Sequence, residues 1–266
     1  MQSLVPKPLK LKTGLITACY NNAKFIPECF SAIFAQSVKP DIVVFIDDCS
    51  TDDSWGEVQR FLYADPSCKP VFEHDCFGYV FLFQVQNITI AGFKLDKNGG
   101  PAVARNIGLK YLLDKVDVIG IADCDDVYYP TKIEKTLEIF KKYPQVALVY
   151  SDYDTENTTT GKTQREFKEC YSYRRLFEEC IVSNNSFFPA TIIGLVGFYD
   201  ETLRGPEDYD MWLRIGEKAS VYHIPESLYK YRIHGSNITV TTPSEKFAKQ
   251  VHYVKQKAMK RAGGNV

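Results

Sequence analysis

Residues 118–132 read VIGIADCDDVYYPTK and join an apolar run to three carboxylates within four positions. The apolar run over 117–122 has the length and composition of a buried strand. Asp123, Asp125 and Asp126 follow it, and like charges this close together repel one another and are costly to desolvate. A cation, a proton or bulk water must relieve this repulsion, so the end of this strand is a candidate functional site.

The same order of strand, polar turn and helix recurs along the chain. TGLITACY at 13–20 and the β-branched run at 42–47 each end in polar residues and precede a segment with one apolar helical face. The strand ITIAGFK at 88–94 leads to a helix over 102–115, and helix 131–142 follows the opening strand. This alternation predicts an α/β fold with a Rossmann-type, mostly parallel sheet sandwiched by helices.

Two segments interrupt the alternation. Residues 65–87 predict an inserted β-hairpin or an irregular loop, and the polar segment 153–170 predicts a mobile surface loop of the kind that gates a site. The C-terminal third adds a small antiparallel extension, with the following predicted elements: helix 172–183, strand 190–198, helix 207–217, strands 219–224 and 227–233, and helix 244–262. We expect one domain over 1–266, with a nucleotide-binding half at 1–150 and an acceptor-binding half at 151–266.

Composition excludes few classes of protein. The 266 residues are 45% hydrophobic and 24% charged, and the formal net charge of −1 gives no general attraction to polyanions, so a nucleic-acid partner is neither supported nor excluded. The eight cysteines are scattered without zinc spacing and are interpreted as reduced structural thiols. An apolar leader and a membrane-length apolar run are both absent from the sequence, which favours a cytoplasmic location. Oligomeric state is not indicated.

Three predicted strands end in unusual residues, at 18–21, 47–50 and 123–126. In an open parallel sheet, ligands gather in the crevice at the carboxyl ends of the strands. Carboxylates from separate strand ends that converge there form a natural seat for a divalent cation and for the polyphosphate it bridges.

Five motifs, in order, resemble those of family two glycosyltransferases, which have the GT-A fold. They are TACYNN (17–22), FIDDCSTDDS (45–54), NGGPAVARNIGL (98–109), IADCDDVYYPTKI (121–133) and PEDYDMWLRI (206–215). The resemblance runs from about residue 13 to 237. It implies transfer of a sugar from a nucleoside diphosphate sugar to an acceptor hydroxyl, with inversion at the anomeric carbon and usually with Mn²⁺ or Mg²⁺.

The resemblance assigns the metal site. IADCDD aligns with the DxD element of the family, which makes Asp125 the direct metal ligand, Asp123 a contact to ribose and metal, and Asp126 a supporting residue. The alternative is that the acids only begin helix 131–142, whose N-terminus favours negative charge. YRIHGSNIT at 231–239 resembles the closing segment of the family, so His234 would complete the metal shell. An imidazole ligand favours Mn²⁺ over Mg²⁺.

The donor site is assigned in the same way. Asp48 would accept a hydrogen bond from the nucleobase, with uracil favoured, and Asp47 would lie beside it. The alternative for 50–53 is an ordinary turn and helix cap. The remaining residues assigned to the donor are Ala18, Tyr20, Asn21, Asn98, Gly99, Arg105 and, at the diphosphate, Arg232; for the glycines, ordinary turn chemistry is an equal alternative.

An inverting transfer needs one base that takes the proton of the acceptor hydroxyl. The family uses the aspartate of the pair that begins the helix in PEDYDMWLRI, which is Asp208 here. Glu207 would bind the acceptor or orient the base. The alternative is that both acids only suit the first turn of a helix.

Two other functions and the identity of the acceptor are to be considered at this stage. Nucleotidyl transfer also uses acids at strand ends, but LITACYNNAKF lacks the Gly-, Arg- or Lys-rich triphosphate loop that it needs. A nucleotide-sugar-binding module without activity is the second alternative. For the acceptor, a growing glycan or polysaccharide is favoured, and a protein side chain or a modified DNA base is the alternative.

Overall fold

The computed structural model describes residues 10–71 and 81–263. The strands of these ranges are β1 (Thr13–Cys19), β2 (Ile42–Asp47), β3 (Lys69–Pro70), β4 (Phe81–Val85), β5 (Ile88–Lys94), β6 (Val118–Ile121), β7 (Val127–Tyr128), β8 (Val146–Asn157), β9 (Thr163–Glu166), β10 (Phe187–Pro189) and β11 (Ser220–Ile233). The helices are α1 (Ile26–Phe34), α2 (Ser54–Tyr63), α3 (Pro101–Leu112), α4 (Lys132–Lys142), α5 (Tyr173–Glu178), α6 (Ile193–Val196), α7 (Glu207–Gly216), α8 (Ile238–Thr241) and α9 (Ser244–Arg261).

All these strands join one sheet in the order β3-β4-β5-β2-β1-β6-β10-β8-β11-β7, and β9 pairs with β8. The central run β5-β2-β1-β6 is parallel, as the alternation of strands and helices predicts. Antiparallel pairs flank this run: β3-β4 and β4-β5 on one side, and β6-β10, β10-β8, β8-β9 and β11-β7 on the other. The C-terminal part of the sheet is nevertheless mixed, because β11 pairs with β8 in parallel. In the register of β1 and β2, Cys19 lies opposite Asp47, so the polar residues that follow both strands emerge side by side.

Helices cover both faces of the sheet. Successive residues such as Leu15 and Ile16 are fully buried but belong to two different apolar clusters, one on each face. One cluster includes Trp212 of α7, and the other includes Phe30 of α1. Because the central strands are buried on both faces, their sequences are continuous apolar runs. The predicted sandwich of helices around the sheet is confirmed.

The prediction of a loop over 153–170 is wrong. β8 continues to Asn157 and pairs with β9, with Tyr153 opposite Glu166, and the turn between them contains Gly161 at φ +69°. The segment is therefore an ordered antiparallel hairpin. Its polar, threonine-rich sequence resembles a loop because both of its faces are partly exposed, so it lacks the apolar alternation that marks a half-buried strand.

The prediction of a strand over 190–198 is also wrong. The strand β10 lies earlier, and residues 190–196 form a short 3₁₀ turn and then α6. A short apolar run fits a buried strand and a buried helix equally well. Helix α5 is shorter than the predicted helix 172–183, and the two strands predicted over 219–233 are one strand, β11, with irregularities near Ile224 and Ser227.

The remaining sequence predictions concern the 65–87 segment and the cysteines. β3 and β4 pair antiparallel, as a hairpin requires, while residues 72–80 lie outside the described residues. The seven cysteines of the described ranges are free thiols, and Cys76 lies outside those ranges. In the part of the chain that the structure describes, no helix combines the length and apolarity needed to cross a bilayer.

Candidate active site

The carboxyl ends of β1, β2 and β6 open into a cavity of about 800 Å³. Its wall comes from both halves of the chain, because α7 and the segments beside β9 and β11 close it on the far side. Ten of the predicted site residues line it: Ala18, Tyr20, Asn21, Asp48, Asn98, Arg105, Asp123, Asp125, Glu207 and Asp208. Four do not, namely Asp47, Gly99, Arg232 and His234.

Asp125 and His234 lie together at the edge of this cavity. The Asp125 Oδ2 atom is 3.0 Å from His234 Nε2, and the imidazole is almost fully buried. The other ring nitrogen, Nδ1, lies 2.8 Å from the Ser236 hydroxyl. The Asn237 side chain, whose Oδ1 accepts the backbone N–H of His234, has its amide nitrogen 3.1 Å from Nε2. The ring is therefore fixed in place by its neighbours.

This pair has the chemistry of a metal site. In the tautomer that carries its proton on Nδ1, that N–H can donate to the Ser236 hydroxyl. The lone pair of Nε2 and an oxygen of the Asp125 carboxylate then lie side by side, and both could bind one cation in place of the contact between Nε2 and the Asn237 amide. One carboxylate oxygen and one imidazole nitrogen suit Mn²⁺. Among the described residues, no group of three or more His, Cys, Asp or Glu side chains is arranged to hold a metal. Two protein ligands would thus leave the other coordination positions to phosphate oxygens and water.

Arg105 joins the two acidic motifs. One of its terminal nitrogens donates to both carboxylate oxygens of Asp123, at 2.9 and 3.1 Å, and the other donates to Glu207 Oε1 at 2.6 Å. Burial acts to lower the pKa of the guanidinium, but the two carboxylates outweigh it and the pKa is raised well above its ordinary value. Asn184 also donates to Asp123, at 2.9 Å. Asp123 is therefore already held by two donors.

Asp126 lies behind the cavity wall. Its Oδ1 accepts the backbone N–H of Arg232 at 3.1 Å, and its Oδ2 accepts the side-chain amide of Asn185. Burial, with the negative charges of Asp125 and Asp123, raises the pKa of Asp126 well above its ordinary value. The residue ties β11 to the acidic turn after β6, which is the supporting position expected of it.

Asp48 holds the glycine turn that precedes α3. Its two carboxylate oxygens accept the backbone N–H groups of Gly99 and Gly100, each at 2.7 Å, and Gly100 has φ +86°. Burial raises the pKa of Asp48, while these two hydrogen bonds act to lower it. A nucleobase that donates a hydrogen bond to Asp48 would have to share the carboxylate oxygens with these two backbone N–H groups. Asp47 is fully buried and accepts the backbone N–H of Ser50 at 2.9 Å.

Asp208 differs from the other carboxylates of the cavity. It is half-buried, it accepts only the backbone N–H of Tyr209, at 2.7 Å, and it forms no ion pair with a described residue. Burial and the neighbouring Glu207 raise the pKa of Asp208 to about 7, against the opposing effect of Arg105. A carboxyl with such a pKa can take up a proton near neutral pH, which is the property of a general base.

Arg232 lies away from the cavity. Its guanidinium is within 2.5 Å of Glu28 Oε2, lies 3.8 Å from Glu156 and covers the Phe25 ring at 5.0 Å. Contact with a diphosphate would require it to leave these partners. The cations that line the cavity besides Arg105 are instead Lys168, Arg204 and Lys246.

Sequence reasoning missed these three cations and the turn before β10. Single cations in polar segments carry no pattern that distinguishes them from solvated charges. The turn SNNS at 183–186 does carry a signal, because two adjacent asparagines between apolar runs are unusual, and their amides hold Asp123 and Asp126.

Two solved structures have this fold. TarS residues 1–349 of Staphylococcus aureus, in complex with UDP, matches with a TM-score of 0.65 and 17% identity, over 94% of this chain and 65% of that one. The mannosyltransferase PcManGT of Pyrobaculum calidifontis, in complex with GDP-Man and Mn²⁺, matches with a TM-score of 0.61 and 14% identity, over 98% and 78% of the two chains. The fold is that of the GT-A class of glycosyltransferases.

The sequence model described as Glycosyl transferase family 2 matches residues 15–79 and 82–194, and the chain belongs to this family. It is 27% identical over 237 residues to an uncharacterized glycosyltransferase of Rickettsia prowazekii, covering 86% of this chain and 66% of the relative. It is also 26% identical over 229 residues to the chondroitin synthase of Escherichia coli, covering 83% of this chain and 29% of that protein. The chain thus spans less than two thirds of the length of these relatives.

Proposed function

We propose that the protein transfers a sugar from a nucleoside diphosphate sugar, with UDP as the favoured nucleotide, to an acceptor hydroxyl during glycan synthesis. The reaction is metal-dependent and inverts the anomeric carbon. Family membership supports the reaction class. UDP in the TarS complex, GDP-Man and Mn²⁺ in the mannosyltransferase complex, and the name of the chondroitin synthase support a nucleotide-sugar donor, a metal and a glycan product.

The donor would lie along the carboxyl ends of β1, β2 and β6. Asp125 and His234 would hold Mn²⁺, which when bound neutralises the charge that develops on the leaving diphosphate. Tyr20 and Asn98 flank Asp48 in the cavity wall and would border the nucleoside. Asp123 keeps its side chain fixed through Arg105, so its exposed edge is preorganised for the ribose.

Asp208 would be the base. As the acceptor hydroxyl gives its proton to Asp208, its oxygen forms a bond to the anomeric carbon from the face opposite the diphosphate. The bond from that carbon to the β-phosphate oxygen breaks at the same time, and the nucleoside diphosphate leaves with the electron pair. Glu207, held by Arg105 and by the backbone N–H of Gly205, would keep the base oriented and raise its pKa through its own charge.

The observation that carries this proposal is one cavity with two chemically different acidic sites. Asp125 lies beside an imidazole nitrogen that could bind a cation together with it, while Asp208 pairs with no cation of the described residues and has a pKa of about 7. In this division, 1–150 supplies most of the donor site, to which His234 and Arg204 are added from 151–266, and 151–266 supplies the acceptor half. A structural role at helix α7 alone would not require a half-buried carboxyl without a counter-charge.

The test is a screen of UDP-sugars and GDP-sugars for nucleotide release with Mn²⁺, with Mg²⁺ and with a chelator. We expect release from a UDP-sugar with Mn²⁺, reduced at least about tenfold by the chelator and by Asp125→Asn. Asp114→Asn, at an exposed position, is the matched control and should behave as the wild type. A rate of nucleotide release that is unchanged by the chelator would contradict the metal site. Donor binding without turnover would favour a non-catalytic binding module.

A further inference from the structure

Lys168 lies on the segment between β9 and α5, and its backbone is anchored to buried residues of β8. Its N–H donates to Asp152 Oδ1 at 2.8 Å, and the same oxygen lies 2.8 Å from His223 Nε2. The next residue is fixed as well, because the Tyr150 hydroxyl donates to the carbonyl of Glu169 at 2.5 Å. The position of Lys168 is therefore set by the core and not by solvent.

The ammonium group of Lys168 faces the cavity without a carboxylate partner. It lines the cavity, is half-buried, and lies 5.6 Å from the centre of the Tyr153 ring, which also lines the cavity. Within residues 10–71 and 81–263 it forms no ion pair, while its neighbour Glu169 pairs with Arg175 at 2.7 Å. A half-buried cation over an aromatic ring attracts an anion more strongly than a solvated one does.

Lys168 belongs to the same end of the cavity as Asp208. Helix α5, which follows the segment of Lys168, packs on α7, because the hydroxyl of Tyr209, next to Asp208, donates to the carbonyls of Leu176 and Phe177 at 2.8 and 2.9 Å. Cys180, just after α5, lines the cavity with Lys168 and Asp208, and the charges of both act on the pKa of its thiol, which burial raises. Arg204 belongs to the other end, because it donates to Asn98 Oδ1 at 3.1 Å and its charge acts on Asp48. Lys168 is thus on the side where the acceptor hydroxyl would meet its base.

We propose that Lys168 and the Tyr153 ring form an acceptor subsite that binds an acidic group, a carboxylate or a phosphate, on the acceptor sugar. This inference rests on the proposed function, since it names the acceptor class for the same site. An acidic sugar would pair its anion with the ammonium and present a hydroxyl to Asp208. A neutral sugar would leave the ammonium half-desolvated and unpaired, so the subsite selects against it.

The test uses the protein loaded with UDP and Mn²⁺, with glucuronate, glucose 6-phosphate and glucose as probes, and measures binding by titration calorimetry. We expect one of the two acidic probes to bind at least about tenfold more tightly than glucose, and the stronger of the two identifies the acidic group. Lys168→Met should abolish that preference, and Lys168→Arg should keep most of it. Lys162→Met, at an exposed position in the turn between β8 and β9, is the matched control and should bind the probes as the wild type does.

Three results would overturn the inference. The first is that the wild type binds the acidic and neutral probes equally, or binds neither. The second is that Lys168→Met keeps the preference for the acidic probe. The third is that Lys168→Met loses as much affinity for UDP as for the acidic probe. The last result would place the ammonium at the donor. If UDP and Mn²⁺ do not bind to the wild type at all, the proposed function fails. If they bind but the acidic probes are not preferred over glucose, only the present inference fails.

Discussion

Asp208 and Glu207 are adjacent in sequence, yet they meet different electrostatic environments. Glu207 is buried against Arg105 and the backbone N–H of Gly205, whereas Asp208 accepts one backbone hydrogen bond and pairs with no cation in residues 10–71 and 81–263. Because the Arg105 guanidinium pairs with Glu207 and Asp123, it does not also form an ion pair with the Asp208 carboxylate. Burial is the main cause of the raised pKa of Asp208, the charge of Glu207 adds to it, and Arg105 opposes it only in part.

The pKa of Asp208 predicts the pH dependence of turnover. The base works as the carboxylate, and a pKa raised to about 7 means that the protonated form dominates below that pH. We therefore expect kcat/KM for the donor to rise about tenfold per pH unit up to pH 7 and to level off above it. Nucleotide release measured from pH 5 to 9 at saturating Mn²⁺ checks this. A profile that is flat between pH 5 and 8 would refute the assignment.

Arg105 neutralises two carboxylates of the cavity, those of Asp123 and Glu207. Arg105→Met would leave Asp123 and Glu207 without their cation, at a cost of about 3–5 kcal/mol in the free energy of unfolding at pH 7.5. Urea denaturation at pH 7.5 measures it.

The control for this prediction is Arg60→Met, because Arg60 pairs with Asp53 and Glu57 on the surface. Solvent screens such pairs, so this variant should unfold at the same urea concentration as the wild type. An Arg105→Met protein as stable as the control would show that the bridge between the two acidic motifs contributes little.

At the scale of elements, the acidic turn after β6 depends on the turn before β10. Asn185 is fully buried, donates to Asp126 and accepts the backbone N–H of Asp123 at 3.2 Å. Asn184 of the same turn donates to Asp123 and accepts from the Tyr229 hydroxyl at 3.0 Å. The turn that carries Asp125, the proposed metal ligand, is thus fixed by amides that come from about sixty residues further along the chain.

Asn185→Ala should therefore weaken both the fold and the metal site. It leaves the Oδ2 atom of Asp126 and the backbone N–H of Asp123 without their partner, which costs about 1–3 kcal/mol in the free energy of unfolding. The Mn²⁺ affinity, measured by calorimetry in the presence of UDP, should fall at least about tenfold because the supporting contacts of the ligands are lost. Wild-type affinity and stability in this variant would mean that the turn does not position Asp125.

The elements that could be predicted from the sequence are the central strands, which are buried on both faces of the sheet, and the helices that follow them. Parallel strands such as β1 and β2 are covered on both faces, so their apolar runs and the following helices are evident without a partner. The pairing of β8 with β9 and the position of β10 depend on neighbours distant in sequence, and their segments were predicted wrongly. Local pattern does not contain that information, because strand identity there is decided by tertiary contacts.

The same division holds within the site. Proximity of Asp125 and His234 was predicted through the resemblance to the family, and the structure brings them to 3.0 Å. The hold of Asp48 on the glycine turn and the bridge made by Arg105 were not predicted. Each joins residues that are between 18 and 102 positions apart, and their residue types fit many other roles equally well.

For the whole molecule, the sheet places two kinds of chemistry at opposite ends of one cavity. The ends of β1, β2 and β6 contribute carboxylates and the turn before α3 contributes its glycines, while α7 contributes Asp208 and the segment between β9 and α5 contributes Lys168. One guanidinium, Arg105, connects the two ends. Donor binding and proton transfer should therefore be separable by substitution, since different elements carry them.

The most direct test of this account compares Asp208→Asn with the wild type and with Asp114→Asn at pH 8 and saturating Mn²⁺. The account predicts that Asp208→Asn binds UDP within about a factor of two of the wild type, by calorimetry, while its rate of nucleotide release from the UDP-sugar falls by about 10²–10⁴. Retention of the wild-type rate in Asp208→Asn would contradict the central claim that Asp208 is the base.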